Sequence, residues 1–482
     1  MADLSKDNHT QTRLKGSLGT GSIVFMVIAA AAPLTVVGGN APIIFASGNG
    51  AGAPVGFVIA SIVMLMFAVG FVTMTPHVKE AGAFFSYVTL GLGQRMGLGT
   101  AFLALVTYTA IQAGIYGYMG WAVNDFVHHV LGGPLIPWWI YTFASIALVA
   151  FLGYRHIDLS SRFLGVALVL EIAVVMVTDL AVLWHGGAHG INADSFTPHE
   201  ALLNGGLGVA ILFAMTGFIG FEATAVFRDE ARRPEVTIPK ATYLAVIIIG
   251  VFYTFSTWAL VIGNGVNQVG GVAQQTLDGN ANLIMDTAQV YAGSVVRDSM
   301  QVLLLTSLFA CVLSFHNVLT RYKLNLSKQG SLPVKLSHIH PHHHSPSFAS
   351  LVQTISATVI MCACVLFKLN PLVQVFGYMA GISTLGIVLL MLLTTLAVLR
   401  FFKQNPALAK GKQWHTRIAP NLAGIMLLTC LWLVLDRFTM VTGGSVEISI
   451  ALAAVPFIAF IIGALRGKPS CPTAAISQKH SI

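Results

Sequence analysis

Residues 21–48 read GSIVFMVIAAAAPLTVVGGNAPIIFASG, an apolar run of membrane-crossing length with a proline and a glycine pair near its middle. A helix needs about 20 apolar residues to span the hydrocarbon core. Pro33 removes a backbone donor and clashes with the preceding turn, and Gly38–Gly39 weakens the helix just beyond it. Residues 204–227, NGGLGVAILFAMTGFIGFEATAVF, show the same arrangement, with Thr216–Gly217 and Gly220 as the interruption. Irregular backbone at that depth is tolerated only where it is buried in protein or lines a cavity. Either break alone reads as a packing kink. Two of them, five helices apart and one opening each half of the chain, point to an inverted-repeat transporter with its site between the halves.

The rest of the chain fits that reading. Of 482 residues, 55% are hydrophobic and 9% charged, with mean hydropathy +0.78. A soluble domain carries about 25% charged residues, so lipid must be part of this protein's solvent. Apolar runs fall near residues 21–46, 53–75, 97–127, 138–153, 163–184 and 202–226. Six more fall near 241–263, 299–320, 348–367, 372–399, 420–436 and 446–465, the fourth and eleventh of the set being short. The expected fold is an all-α membrane protein of about 12 helices. Five Cys form no disulfide framework, no CxxC metal or redox motif occurs, and nothing calls for a cofactor. The polar N-terminal stretch reads as a cytoplasmic tail rather than a signal peptide.

Charge sets the orientation. With the N-terminus inside, 23 of the 26 Lys and Arg fall in cytoplasmic segments, leaving Arg297, Lys368 and Arg437 outside. This asymmetry predicts a multi-pass protein of the inner membrane with both termini cytoplasmic. It also accounts for the net charge of +8 without a nucleic-acid partner.

Four motifs carry a family resemblance. FAMTGFIGFEA (213–223) resembles the helix-6 motif of the amino acid–polyamine–organocation superfamily of transporters. RDEARRPEVTIPKA (228–241) looks like its E-x-x-x-P-x-x-x-I-P loop signature, carried by Glu230, Pro234, Ile238 and Pro239. KEAGAFFSYV (79–88) is similar to the segment after helix 2, with Ala83 and Phe84 departing from the usual residues. NVLTRYKLNLSKQGSLP (317–333) resembles the end of helix 8. The resemblance implies a five-plus-five inverted repeat, residues 20–190 and 200–400, with two added helices over 418–466 and cytoplasmic tails at 1–19 and 467–482. It also implies amino acids or related amines as substrates. Where many members carry Gly-Ser-Gly or Gly-Thr-Gly in the first break, this chain has Pro33-Leu34-Thr35, a form found in some members that carry polyamines.

A zwitterion entering a low-dielectric cavity needs partners for both charges. Free N–H groups opening a half-helix suit its carboxylate, which assigns that role to Pro33, Leu34 and Thr35 with the Gly38 region behind them. Free carbonyls closing the other half-helix suit its ammonium, which assigns that role to Phe213, Ala214, Met215 and Thr216 beside Gly217. By similarity to the family's aromatic helix-6 positions, Phe218 is a lid or wall candidate. Intramembrane carboxylates are functional candidates by default. Glu222, just past the sixth-span break, reads either as a proton carrier or as a structural partner of the broken backbone. Glu171 lies one turn from Leu168, where relatives carry a Lys linked to proton coupling, and can stand in for it. Asp179 reads as solvated near the outer interface, and His316 as a packing histidine.

Tyr108, Gln112 and Tyr116 form a polar stripe on the third span, and Tyr378 is a similar candidate on the tenth. Sodium is the rival coupling ion, but Ser314 and Thr320 are too sparse a pair to hold it, which favours protons. The run HIHPHHHSP, with His338, His340, His342, His343 and His344, preorganises no metal tetrahedron. A membrane-embedded enzyme would need a His, Asp and Glu cluster facing one cavity, and only isolated carboxylates occur. The sequence therefore predicts a permease for amino acids, driven by protons, with an exchanger or an amine carrier as the alternatives.

Overall fold

The computed structural model describes residues 19–78, 83–154, 161–222, 224, 231–328, 330–339, 346–443 and 445–467. Both tails, residues 79–82, Glu230 and residues 340–344 of the histidine run lie outside the described residues. Every regular element among the described residues is helical. Ten helices are long and apolar enough to cross a membrane, and two shorter apolar ones, Trp138–Tyr154 and Leu207–Thr216, complete a set of twelve among the described residues.

In chain order the first six are α1 (Thr20–Ser47), α2 (Gly50–His77), α3 (Gln94–Val130), α4 (Trp138–Tyr154), α5 (Ser161–Trp184) and α6 (Leu207–Thr216). The second six are α7 (Pro234–Asn264), α8 (Ser294–Lys328), α9 (Ser347–Leu366), α10 (Pro371–Gln404), α11 (Trp414–Asp436) and α12 (Val446–Arg466). The fourth helix is short, as expected, but the eleventh is not. A π-turn over Trp414–Ile418 extends it ahead of Pro420, where the apolar run begins. The short partner is α6, which stops at Thr216 because the chain then runs on in turns through Glu222.

Most of α3 and α10 is buried, whereas α9, α11 and α12 bury a third or less of their apolar windows. The peripheral helices turn large apolar side chains outward, among them Leu170, Val359, Ile425 and Ile461. That is the pattern expected when lipid is the solvent. Inside the bundle, many hydroxyls bond within their own helix. Thr107 and Thr394 each donate to the carbonyl four residues earlier, at 2.8 Å.

The break in α1 follows from local sterics. The residue before a proline is disfavoured in the α region, so the helix cannot pass through Ala32 into Pro33. Ala32 adopts the left-handed conformation (φ 47°, ψ 70°), and the second half starts at Pro33, which has no N–H to leave unmet. Beyond it the backbone widens into a π-turn over Val36–Asn40. There Gly38 and Gly39 admit the Tyr118 ring, to which an added Cβ would come within 2.7 and 2.8 Å.

The break in α6 is made by tightening rather than by a gap. Gly217, Phe218 and Ile219 donate to the carbonyls three residues earlier, at 3.1–3.2 Å, and Gly220 sits at φ +109°, open to glycine almost alone.

Candidate functional site

The two breaks meet. A Cβ added to Gly217 would lie 3.0 Å from Val36 Cγ1, and one added to Gly220 would lie 3.2 Å from Ala30 Cβ. The Tyr253 hydroxyl on α7 lies 3.4 Å from the Ala31 carbonyl and 3.3 Å from that of Gly217, touching both breaks at once. On the opposite side of α1, Asn40 Nδ2 donates to the Phe213 carbonyl at 2.8 Å.

Between the breaks lies a small void of about 30 Å³, room for about one water. Thr35 and Asn40 from α1 and Thr216 from α6 give it a polar side. Ile111 and Ile115 of α3, Phe315 of α8 and Phe376 of α10 give it an apolar one. All seven are buried, so the void is enclosed in this conformation. The void must widen to admit a substrate, and its lining, polar on one side and apolar on the other, suits an amphipathic small molecule.

Each break carries a glutamate on its backbone. Glu171 of α5 accepts from Leu34 N at 2.6 Å and from Ser307 Oγ of α8 at 2.9 Å, both on Oε1. Thr35 Oγ1 stands 3.5 Å from the same Ser307 hydroxyl. Glu222 accepts from Tyr108 OH at 2.5 Å and, on its other oxygen, from Gly220 N at 3.0 Å. Charge-assisted bonds of this kind are short, and they leave neither break with an unmet amide at these positions. Glu171 thus completes a carboxylate and hydroxyl cluster spanning α1, α5 and α8. Residue counting on helices 1 and 8 alone does not reveal it, because the carboxylate comes from a third helix.

The site candidates from sequence divide accordingly. Thr35 and Thr216 line the void, Thr216 also bonding Thr384 Oγ1 and the Leu212 carbonyl. Pro33 and Leu34 are buried beside it, and Leu34's amide is turned to Glu171. The carbonyls of Phe213, Ala214, Met215 and Thr216 already accept bonds from Asn40 or from the turn that follows. Phe218 points away from the void, packing edge-on against Tyr253 at 6.1 Å.

Asp179 requires a correction. It is buried, and Ser256 Oγ donates to its Oδ2 at 2.6 Å, because α7 packs over the face of α5 that carries it. His316 is a packing residue, bonded through Nε2 to Ser350 Oγ at 2.8 Å. The stripe on α3 serves as glue. Gln112 donates to the Val312 carbonyl and accepts from Gln353, whose Oε1 takes Lys323 Nζ, while Tyr116 is fully buried. The face of α3 that lines the void is one residue round, at Ile111 and Ile115. Tyr378, near the start of α10, lies 3.4 Å from the Thr442 carbonyl, and Phe376, two residues earlier, lines the void in its stead.

Comparison with known proteins agrees with this architecture. The amino acid permease family matches residues 18–465. The branched-chain amino acid permease BcaP of Bacillus subtilis (strain 168) is 22% identical over 452 residues, 90% of each chain. The serine/threonine exchanger SteT of the same organism is 22% identical over 322 residues, 65% of this chain and 69% of its own. The low-affinity putrescine importer PlaP of Escherichia coli (strain K12) is 22% identical over 214 residues, 43% of this chain and 45% of its own. A bundle of membrane-crossing helices with a family match over nearly its whole length makes this chain a multi-pass membrane protein of the amino acid permease family, within the amino acid–polyamine–organocation superfamily.

Proposed function

We propose that this protein imports amino acids with apolar side chains across the inner membrane, driven by protons, by alternating access to the void between α1 and α6. The observation that carries the reading is the lining of the closed-down void, polar where the breaks face it and apolar where α3, α8 and α10 do. The near full-length similarity to a branched-chain amino acid permease supports the same substrate class. The substrate's polar head lies toward Thr35 and Thr216, where carbonyl oxygens, each with two lone pairs, still have capacity for an ammonium. Its side chain lies against Ile111, Ile115 and Phe376. Coupling protons are carried by the glutamates of the breaks, Glu222 and Glu171, and the basic segments and both termini face the cytoplasm.

The test is uptake by purified protein in liposomes. Labelled leucine should accumulate under an inward proton gradient and stop accumulating when an ionophore collapses it. Accumulation that persists without the proton gradient but needs sodium would move the coupling to that ion, with the Glu171–Ser307–Thr35 cluster as its seat. A second reading, an amine carrier, is favoured by one observation: the anion-binding end of the α1 break already holds a carboxylate.

A further inference from the structure

Leu34 carries the first N–H of the second half of α1, because Pro33 ahead of it has none. That group, at the positive end of a half-helix, is where an amino acid's carboxylate is expected to dock. It is taken by Glu171, whose Oε1 lies 2.6 Å away and collects Ser307 Oγ as well. From the geometry we infer that Glu171 is a built-in stand-in for the substrate's carboxylate, so that substrate binding and protonation of Glu171 are one linked event. This rests on the amino acid reading proposed above and deepens it.

The surroundings decide the linkage. The titratable groups facing Glu171 are Tyr253 on α7 and Cys311 on α8, and Asp179 on its own helix is held by Ser256. Thr35 and Ser307 are neutral, and among the described residues no Lys, Arg or His pairs with Glu171. Among the described residues, the half-helix end and the Ser307 hydroxyl are what compensate its charge. A second carboxylate arriving at the same N–H would put two like charges together in a low-dielectric site, which the pair resolves by holding one proton. The balance is simple. One amino acid binds, one proton from solution converts the Glu171 carboxylate to the acid, and Leu34's N–H passes to the substrate. An amine with the same side chain but no carboxyl group leaves Glu171 in place and needs no proton.

Glu222 cannot do this for the other break. It lies two residues from Gly220 on the same turn and moves with it, whereas Glu171 comes from another helix and can part from α1.

The experiment uses the full chain in lipid nanodiscs. The twenty amino acids are screened for binding from pH 5 to pH 8, together with the amine formed by removing the carboxyl group of the best binder (3-methylbutylamine, if leucine). For the wild type, amino acid affinity should fall by roughly tenfold per pH unit above the pH at which Glu171 ionises. Calorimetry in buffers of different ionisation enthalpy should show about one proton taken up per amino acid bound, and none per amine. Glu171→Gln, whose amide oxygen can accept both bonds, should bind the amino acid independently of pH and without proton uptake. Ser307→Ala, which removes one donor from the carboxylate, should move the midpoint to higher pH.

Binding of an amino acid without proton uptake by the wild type overturns the proposal while leaving the transport reading intact. An unchanged pH slope in a folded Glu171→Gln protein does the same. If none of the twenty binds at any pH, the amino acid reading fails and the proposal with it.

Discussion

Glu171 Oε1 and the Leu34 amide lie 2.6 Å apart across 137 residues of sequence, joining the middle of α5 to the start of α1's second half. Glu222 repeats the arrangement at Gly220 of the α6 turn. Both breaks are therefore closed by carboxylates that the lipid interior would otherwise disfavour.

The glycines of the α6 turn should not tolerate side chains. Gly217→Leu and Gly220→Leu are expected to abolish uptake while the protein still inserts into the membrane. At Gly217 the first added carbon already lies 3.0 Å from Val36 and 3.1 Å from Tyr253. At Gly220 (φ +109°) any L side chain is strained, by roughly 1–3 kcal/mol. Near-normal uptake by both variants would reduce the turn to packing.

Glu222→Gln should preserve binding yet uncouple transport. The amide oxygen can still accept from Gly220, but it fixes the group in a neutral state, so exchange should persist and accumulation against a gradient should not. Measuring both modes in liposomes separates them. A variant that concentrates substrate with the wild-type pH profile would leave coupling to Glu171 alone.

Ser256→Ala isolates a structural bond. Removing the donor leaves the buried Asp179 carboxylate unpaired, at a cost of about 1–3 kcal/mol. The unfolding temperature should drop while substrate affinity and its pH dependence stay put. A loss of affinity at unchanged stability would bring Asp179 into the transport site.

Ile115→Ala should change selectivity rather than coupling. It trims the apolar wall, so larger side chains should gain on smaller ones, by about tenfold in relative kcat/KM. Competition between valine and phenylalanine uptake reads this directly, and an unchanged ratio would put the substrate's side chain elsewhere.

Reporter fusions test orientation. The C-terminus should report as cytoplasmic and residues 265–297 as external, following the distribution of Lys and Arg. An externally active C-terminal reporter would invert the topology.

The breaks themselves were legible because Pro33 and Gly220 act through backbone sterics, which depend only on neighbours in sequence. The lining was less so. Asn40 and Ile115 look like ordinary members of apolar runs, and only the way α1, α3 and α6 rotate against each other turns them inward. Tyr108 and Gln112 drew attention by polarity, yet polarity inside a membrane protein is used as often to fasten helices as to meet a ligand. Asp179 reads as solvated in the sequence for the same reason, since its partner Ser256 lies 77 residues away on a helix whose facing side sequence does not reveal.

Asn40 belongs to the second half of α1, and the Phe213 carbonyl it holds belongs to the first half of α6. Ala30 of the first half of α1 rests instead against Gly220 in the α6 turn. Both halves of α1 are thus tied to α6, the second half to its helix and the first half to its turn. A tilt of the second half of α1 carries the first half of α6 along, with Ala32 and Gly220 as the pivots, so the chamber should open by the swing of paired levers rather than by the bending of a single rod.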